Sequence, residues 1–153
     1  MKDLKMYIDG QFCQSSDGQW IDVLNPSTEE VISRQPNGTI ADVNRALDAA
    51  KAAQKAWGKT PAIDRAAWLK KLANGIRERR EEFIDIIMRE QGKTITWATI
   101  EVDVTAEYFD YMASFARHIE GEIIPSDRPN ETIFLTKKPI GVVAGILPWN
   151  FPF

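Results

Sequence analysis

Apolar residues come in short bursts over the first 35 positions. "MYI" at 6–8, "WIDVL" at 20–24 and "VIS" at 31–33 stand between the turn-rich stretches "DGQ", "SSDG" and "NPSTEE". Bursts this short, bounded by Gly, Asn, Asp, Pro and Ser, predict small antiparallel strands that serve as a lid or edge rather than a core. From Thr39 the period lengthens. Val43, Ala46, Leu47, Ala50, Ala53 and Trp57 recur at helical spacing, with Thr39 placed as N-cap and Asp42 three residues on, so an amphipathic helix is expected to run to about Gly58.

"TPAIDR" at 60–65 predicts a second helix, with Thr60 as N-cap and Pro61 in the first helical position, where a missing N–H costs nothing. Ile63, Ala66, Leu69, Leu72, Ala73 and Ile76 make its buried face. Phe83, Ile84, Ile87 and Met88 either extend it or form a second short helix, and Gly92 suits the left-handed position past the end. A third long helix is expected from about Ile95 to Glu120. Its stripe is Ile95, Ala98, Val102, Thr105, Phe109, Met112, Ala116 and Ile119. Glu101, Asp103, Glu107 and Asp110 lie off the stripe and read as a solvated face, with Glu101 and Asp103 kept as minor site candidates.

After Gly121 the helical period is lost. "GEIIPSD" and "TIFLTKK" flank the turn "DRPNE" and predict two extended segments, while "PIGVVAGIL" has the continuous Val/Ile/Leu character of a strand buried on both faces. Such a strand needs parallel neighbours and crossover helices, and none follows it in the sequence. The fold class is therefore α/β: small antiparallel strands, three long helices, an extended pair and one strand of a larger sheet.

Composition narrows the function classes. With 153 residues, 44% hydrophobic and 27% charged, the chain has the make-up of an ordinary globular domain. A net charge of −3 gives no reason to expect a nucleic-acid or anionic-membrane partner, and the basic "RERR" at 77–80 is followed at once by Glu81 and Glu82. No apolar run approaches a membrane span and the N-terminus has no signal-like apolar region, so a cytoplasmic location is expected. The single cysteine, Cys13, agrees with a reducing compartment.

Few residues carry chemistry. "GKT" at 92–94 would end a phosphate-binding loop only with glycine at 87, which is Ile87, and Gly141 and Gly145 stand four apart, so no G-x-G-x-x-G occurs. The lone His118 has no ligand partners at metal-binding spacing, and no metal is expected. Cys13 has no basic partner nearby in sequence and reads as a small apolar residue. "LPWNFP" at 147–152 is different. Pro148 and Pro152 stiffen the loop around Asn150, which follows the expected strand where open α/β sheets place their ligands. An asparagine amide offers two uncharged N–H donors, suited to an oxyanion formed by attack on a carbonyl. Spacing alone leaves a structural turn with a self-capping Asn as the simpler alternative.

The motifs "YIDGQF" at 7, "NPSTEEVI" at 25, "AAKAAQKAW" at 49, "REQGKT" at 89 and above all "PIGVVAGILPWNFP" at 139–152 resemble, in order and over essentially the whole chain, the N-terminal part of the aldehyde dehydrogenase superfamily. Through "EVDVTAEYFDYMASFARHIEGEIIPSDRP" at 101–129 the chain is most similar to the bacterial branch acting on lactaldehyde or glycolaldehyde. The resemblance implies that residues 1–121 are the N-terminal part of a cofactor-binding domain, 122–138 an oligomerisation arm, and 139–153 the first strand and active-site loop of that domain. The catalytic domain is absent. In the family a cysteine thiolate attacks the aldehyde, hydride passes to NAD or NADP, and a glutamate activates water to release the acid. By resemblance Asn150 is the oxyanion donor, Ile146, Leu147, Pro148 and Trp149 join it on the nicotinamide side of the cofactor site, and Phe151 and Val104 face the substrate tunnel. The family's nucleophilic cysteine and general-base glutamate match nothing in these 153 residues. The expectation is a segment of an NAD(P)-dependent enzyme for a small aldehyde, homo-oligomeric when whole and inactive alone. The alternative is a non-catalytic truncated product that at most pairs with full-length subunits.

Overall fold

The short N-terminal bursts build two separate sheets. In the computed structural model, which describes residues 2–153, β2 (Met6–Ile8) and β3 (Gln11–Cys13) form a hairpin. Its two-residue turn is Asp9–Gly10, at φ of +51° and +75°, the left-handed pair that a tight hairpin requires and that Asp-Gly supplies. β1 (Lys2–Asp3), β4 (Trp20–Leu24) and β5 (Val31–Pro36) make the other sheet, in the order β1-β5-β4. β4 and β5 are antiparallel, but β1 runs parallel to β5, which corrects the purely antiparallel expectation. The long connection between β1 and β5 imposes no hairpin, so direction is free. The Arg34 guanidinium meets both oxygens of Asp3 across that junction at 3.0 and 2.9 Å.

α1 (Ile40–Trp57) opens on the expected capping box: Asp42 N–H donates to Thr39 Oγ1 at 3.3 Å, and Thr39 N–H donates to Asp42 Oδ2 at 3.0 Å. α2 (Ala62–Glu78) begins one residue later than expected. Pro61, at ψ 145°, is extended and is itself the N-cap, while the Thr60 hydroxyl turns back to the Ala56 carbonyl. Arg79, at φ −112°, separates α2 from α3 (Arg80–Gln91), and α4 (Ile95–Ser114) follows, so of the two expected alternatives the separate short helix is the one that forms, giving four α-helices among the described residues. α4 stops short of Glu120 in a 3₁₀ turn, Phe115–Arg117. His118 thus lies beyond the helix.

Ile76, Ile84, Ile87, Ala98, Val102 and Ala106 form the core between α2, α3 and α4, with Phe83, Met88 and Phe109 packed on it. The buried side of α4 is Ala98, Glu101, Val102, Ala106 and Ala113; Ile95 and Ile119 at the ends of the expected stripe are exposed. Small side chains let α2 and α4 approach along this side. The two extended segments are β6 (Glu122–Pro125) and β7 (Thr132–Leu135), an antiparallel pair exposed at every position.

The doubly buried strand expected at 140–147 is absent. Among the described residues this segment has no pairing strand, and Ile140, Val143, Ile146 and Leu147 are exposed. No helix among the described residues is long and apolar enough to cross a membrane.

Candidate functional site

Asn150 lies in a turn after Trp149, held against the junction between α3 and α4. The chain reverses at Gly92, whose φ of +65° closes α3 and whose N–H donates to the Met88 carbonyl at 2.9 Å. A Cβ at this position would stand 3.0 Å from Pro26 Cγ and 3.2 Å from Ser27 Oγ, so close packing as well as backbone sign calls for glycine. The reversal brings Gln91 and Lys93, on either side of Gly92, to the loop. Gln91 Nε2 donates to the Trp149 carbonyl, and Lys93 Nζ donates to the Asn150 carbonyl at 2.9 Å.

Glu101 completes the arrangement from the second turn of α4. Its carboxylate pairs with Lys93 through Oε2 and accepts the Phe153 N–H through Oε1 at 2.9 Å. The side chain is 2% exposed and that of Lys93 15%, so this ion pair is screened little by solvent. The reading of Glu101 as part of a solvated face is corrected. Lys93 Nζ also stands 4.4 Å over the Phe151 ring, and the Phe153 ring packs on Phe83 with centroids 4.6 Å apart.

The Asn150 side-chain amide is exposed and has no hydrogen-bond partner among the described residues. A self-capping turn, the simpler alternative from spacing, is therefore not what forms. The backbone is held and the side chain is free. Beside it an open cleft of about 450 Å³ is lined by Pro26, Glu90, Gln91, Lys93, Trp149 and Asn150. Ile146, Leu147, Pro148 and Trp149 lead into it as an exposed, largely apolar strip. Phe151 touches the cation of Lys93, whereas Val104 is exposed on α4 and does not line this cleft.

The other candidates lie elsewhere. Asp103 is gripped by Arg80, Nε to Oδ1 at 2.6 Å and Nη2 to Oδ2 at 2.9 Å, a tie between α3 and α4; these bonds hold its carboxyl below the usual range and raise the guanidinium. Cys13 is half-buried in β3 and, contrary to expectation, does have a basic neighbour: Arg45 Nη2 lies 3.4 Å from its Sγ. His118 sets its ring edge against Phe115. Among the described residues no group of His, Cys, Asp and Glu could hold a metal. Sequence reasoning overlooked Gln91 and Lys93. The available signal was a Gln-Gly-Lys triplet at a helix end, with Glu101 two turns further on, the first of the acids beside the apolar stripe.

Residues 12–153 match the model of the aldehyde dehydrogenase family. The chain belongs to the aldehyde dehydrogenase family. It is 56% identical over 148 residues to lactaldehyde dehydrogenase of Escherichia coli (strain K12), covering 97% of this chain and 31% of that protein. It is 44% identical over 153 residues to 3,6-anhydro-alpha-L-galactose dehydrogenase of Vibrio sp. (strain EJY3), covering 100% of this chain and 32% of that protein. The crystal structure of the Escherichia coli lactaldehyde dehydrogenase superposes with a TM-score of 0.96 at 55% identity, over 99% of this chain and 32% of that one. A Staphylococcus aureus betaine aldehyde dehydrogenase in complex with NAD+ superposes with a TM-score of 0.92 at 33% identity, over 96% and 30%. The chain thus spans about a third of the length of these family members.

Proposed function

We propose that this chain is the N-terminal segment of an NAD(P)-dependent aldehyde dehydrogenase that oxidises a small aldehyde, lactaldehyde or glycolaldehyde, to its carboxylic acid. In that enzyme Asn150 is the side-chain donor to the oxyanion. The observation that carries this reading is the split state of Asn150: its carbonyl is fixed by Lys93 while its amide is exposed and unpartnered. An N–H donor aimed in advance at a developing negative charge needs no reorganisation when the charge forms. The amide donates to the aldehyde oxygen as attack at the carbonyl carbon converts it to an alkoxide.

The residues leading to Asn150 fit a nicotinamide cofactor. Ile146, Leu147 and Trp149 offer exposed apolar surface that ends in a polar amide, which suits a flat ring carrying a carboxamide. When bound, NAD or NADP accepts the hydride in this chemistry. Ile146, Leu147, Pro148, Trp149 and Asn150 would hold its nicotinamide side, and Phe151 and Val104 would face the substrate. The assignment of lactaldehyde rests on the 56% identity to lactaldehyde dehydrogenase, and that of glycolaldehyde on the resemblance carried by residues 101–129. Residues 1–121 and 139–153 belong, on this reading, to the cofactor-binding domain and 122–138 to an arm that pairs with another subunit in the cytoplasm.

The test is steady-state kinetics of the intact enzyme carrying this segment, with both aldehydes and both cofactors. Asn150→Ala lowers kcat by about 10² to 10³, the typical worth of one oxyanion donor, and far more than it weakens cofactor binding. Equal activity in mutant and parent would remove the oxyanion role.

A second reading is non-catalytic: the segment pairs with full-length subunits through its arm. Exposure at every position of β6 and β7, greatest at Ile123 and Phe134 among their large apolar residues, favours it. Co-expression with an intact relative yields mixed oligomers if this holds; their consistent absence rules it out.

A further inference from the structure

Three side chains from the junction between α3 and α4 meet three backbone groups of the loop that carries Asn150. Gln91 takes the Trp149 carbonyl, Lys93 the Asn150 carbonyl, and Glu101 the Phe153 N–H. Lys93 and Glu101 are joined to each other, so a single buried ion pair spans the loop from Asn150 to Phe153. We infer that the Lys93–Glu101 pair is a positioning device for the Asn150 amide, fixing the peptide plane from which the oxyanion donor projects. It rests on the oxyanion reading of Asn150.

Besides these bonds the loop meets the helices where the Phe153 ring packs on Phe83, three residues beyond Asn150. Trp149 and Asn150 are exposed, and the Phe151 ring lies under the cation of Lys93. The prolines at 148 and 152, both exposed, limit the backbone. Asn150 has a short side chain, so a tilt of its peptide plane carries the amide with it. A donor must stand 2.7–3.1 Å from the oxyanion, and a misplacement of about 1 Å costs about 10²-fold in rate. Neither Lys93 nor Glu101 need touch substrate or cofactor for this.

Removing Lys93 alone would strand the Glu101 carboxylate without its cation in a buried place. The informative variant of the intact enzyme is therefore the double substitution Lys93→Met with Glu101→Gln. It leaves no unpaired charge and keeps an acceptor for the Phe153 N–H. The expected result is a fall in kcat of about 10- to 100-fold, far larger than any rise in KM for the cofactor. Lys93→Arg, which keeps a cation between Glu101 and the Asn150 carbonyl, recovers most of the rate. Placed on Asn150→Ala, the double substitution lowers kcat no further, because it acts through the amide already removed. An unchanged kcat, or a loss that multiplies with that of Asn150→Ala, overturns the positioning role. So does loss of cooperative unfolding in the double variant, which would make the pair structural. Asn150→Ala alone judges the oxyanion reading, so the failure of either idea is separately visible.

Discussion

One carboxylate, Asp42, gathers the N–H groups of Thr39 and Ser16 on Oδ2, each at 3.0 Å, and meets Arg45 through Oδ1 at 3.2 Å. The backbone N–H of Thr39 and then that of Ser16 are the main reasons its pKa is lowered from 3.8 to about 2. A depressed folded-state pKa means the unfolded chain takes up protons first as pH falls. The stabilisation is therefore complete above about pH 4 and is lost as pH drops through about 2. Asp42→Asn should unfold at lower urea than the parent at neutral pH, with the gap closing between pH 4 and pH 2. A gap independent of pH would assign the effect to packing instead. Half of this site was legible, because Thr39 and Asp42 fall at capping-box spacing. The contact with Ser16, 26 residues away, leaves no trace in local sequence. Glu101 was misread for the related reason that one of several acids off an apolar stripe looks solvated until its cation, Lys93, is brought over it by the turn at Gly92.

Helix existence followed from period, and helix facing only in part: Ala98 and Val102 of the expected stripe are buried and Phe109 packs on the core, whereas Ile95, Met112 and Ile119 are exposed. α4 carries Trp97, Ile100, Val104, Tyr108 and Tyr111 outside the expected stripe, all exposed, so apolar residues surround much of its circumference and several stripes fit the same spacing. Packing selects the side with Ala98, Ala106 and Ala113, where α2 lies close, and the larger residues face out. Ile95 separates the two descriptions of α4, with the buried Ile84 of α3 as the reference. Ile84 is 4% exposed within the core and Ile95 is 62% exposed. Ile84→Ala is expected to cost about 2 to 5 kcal/mol. Ile95→Ala should fall within about 0.5 kcal/mol of the parent, as surface changes usually do. Urea unfolding of both checks this, and a comparable loss at Ile95 would restore the sequence-derived stripe. The start of α2 teaches a smaller lesson: Thr60 and Pro61 marked the boundary correctly, but the extended ψ of Pro61 moved the cap by one residue.

At the scale of the whole chain, the apolar run from Ile140 to Leu147 shows where sequence reading gives character but not state. Its Val/Ile/Leu content suits a strand buried on both faces, yet strand pairing is supplied by other strands, and among the described residues none lies beside it. Ile140 is 94% exposed, Ile146 95% and Trp149 85%, which puts apolar surface with unpaired backbone beyond what a lone soluble chain ordinarily presents. The 153-residue chain studied by itself should therefore self-associate as concentration rises, seen as a growing sedimentation coefficient. Ile140→Lys with Ile146→Lys should suppress that growth by placing charge on the run. Since neither residue belongs to the helical core, the far-UV helix signal should be the same in both proteins. A parent chain that stays monomeric at all concentrations would mean that the run finds cover within its own fold. A lysine variant that also loses helix would mean that the run, rather than the contacts among α2, α3 and α4, holds the helices together.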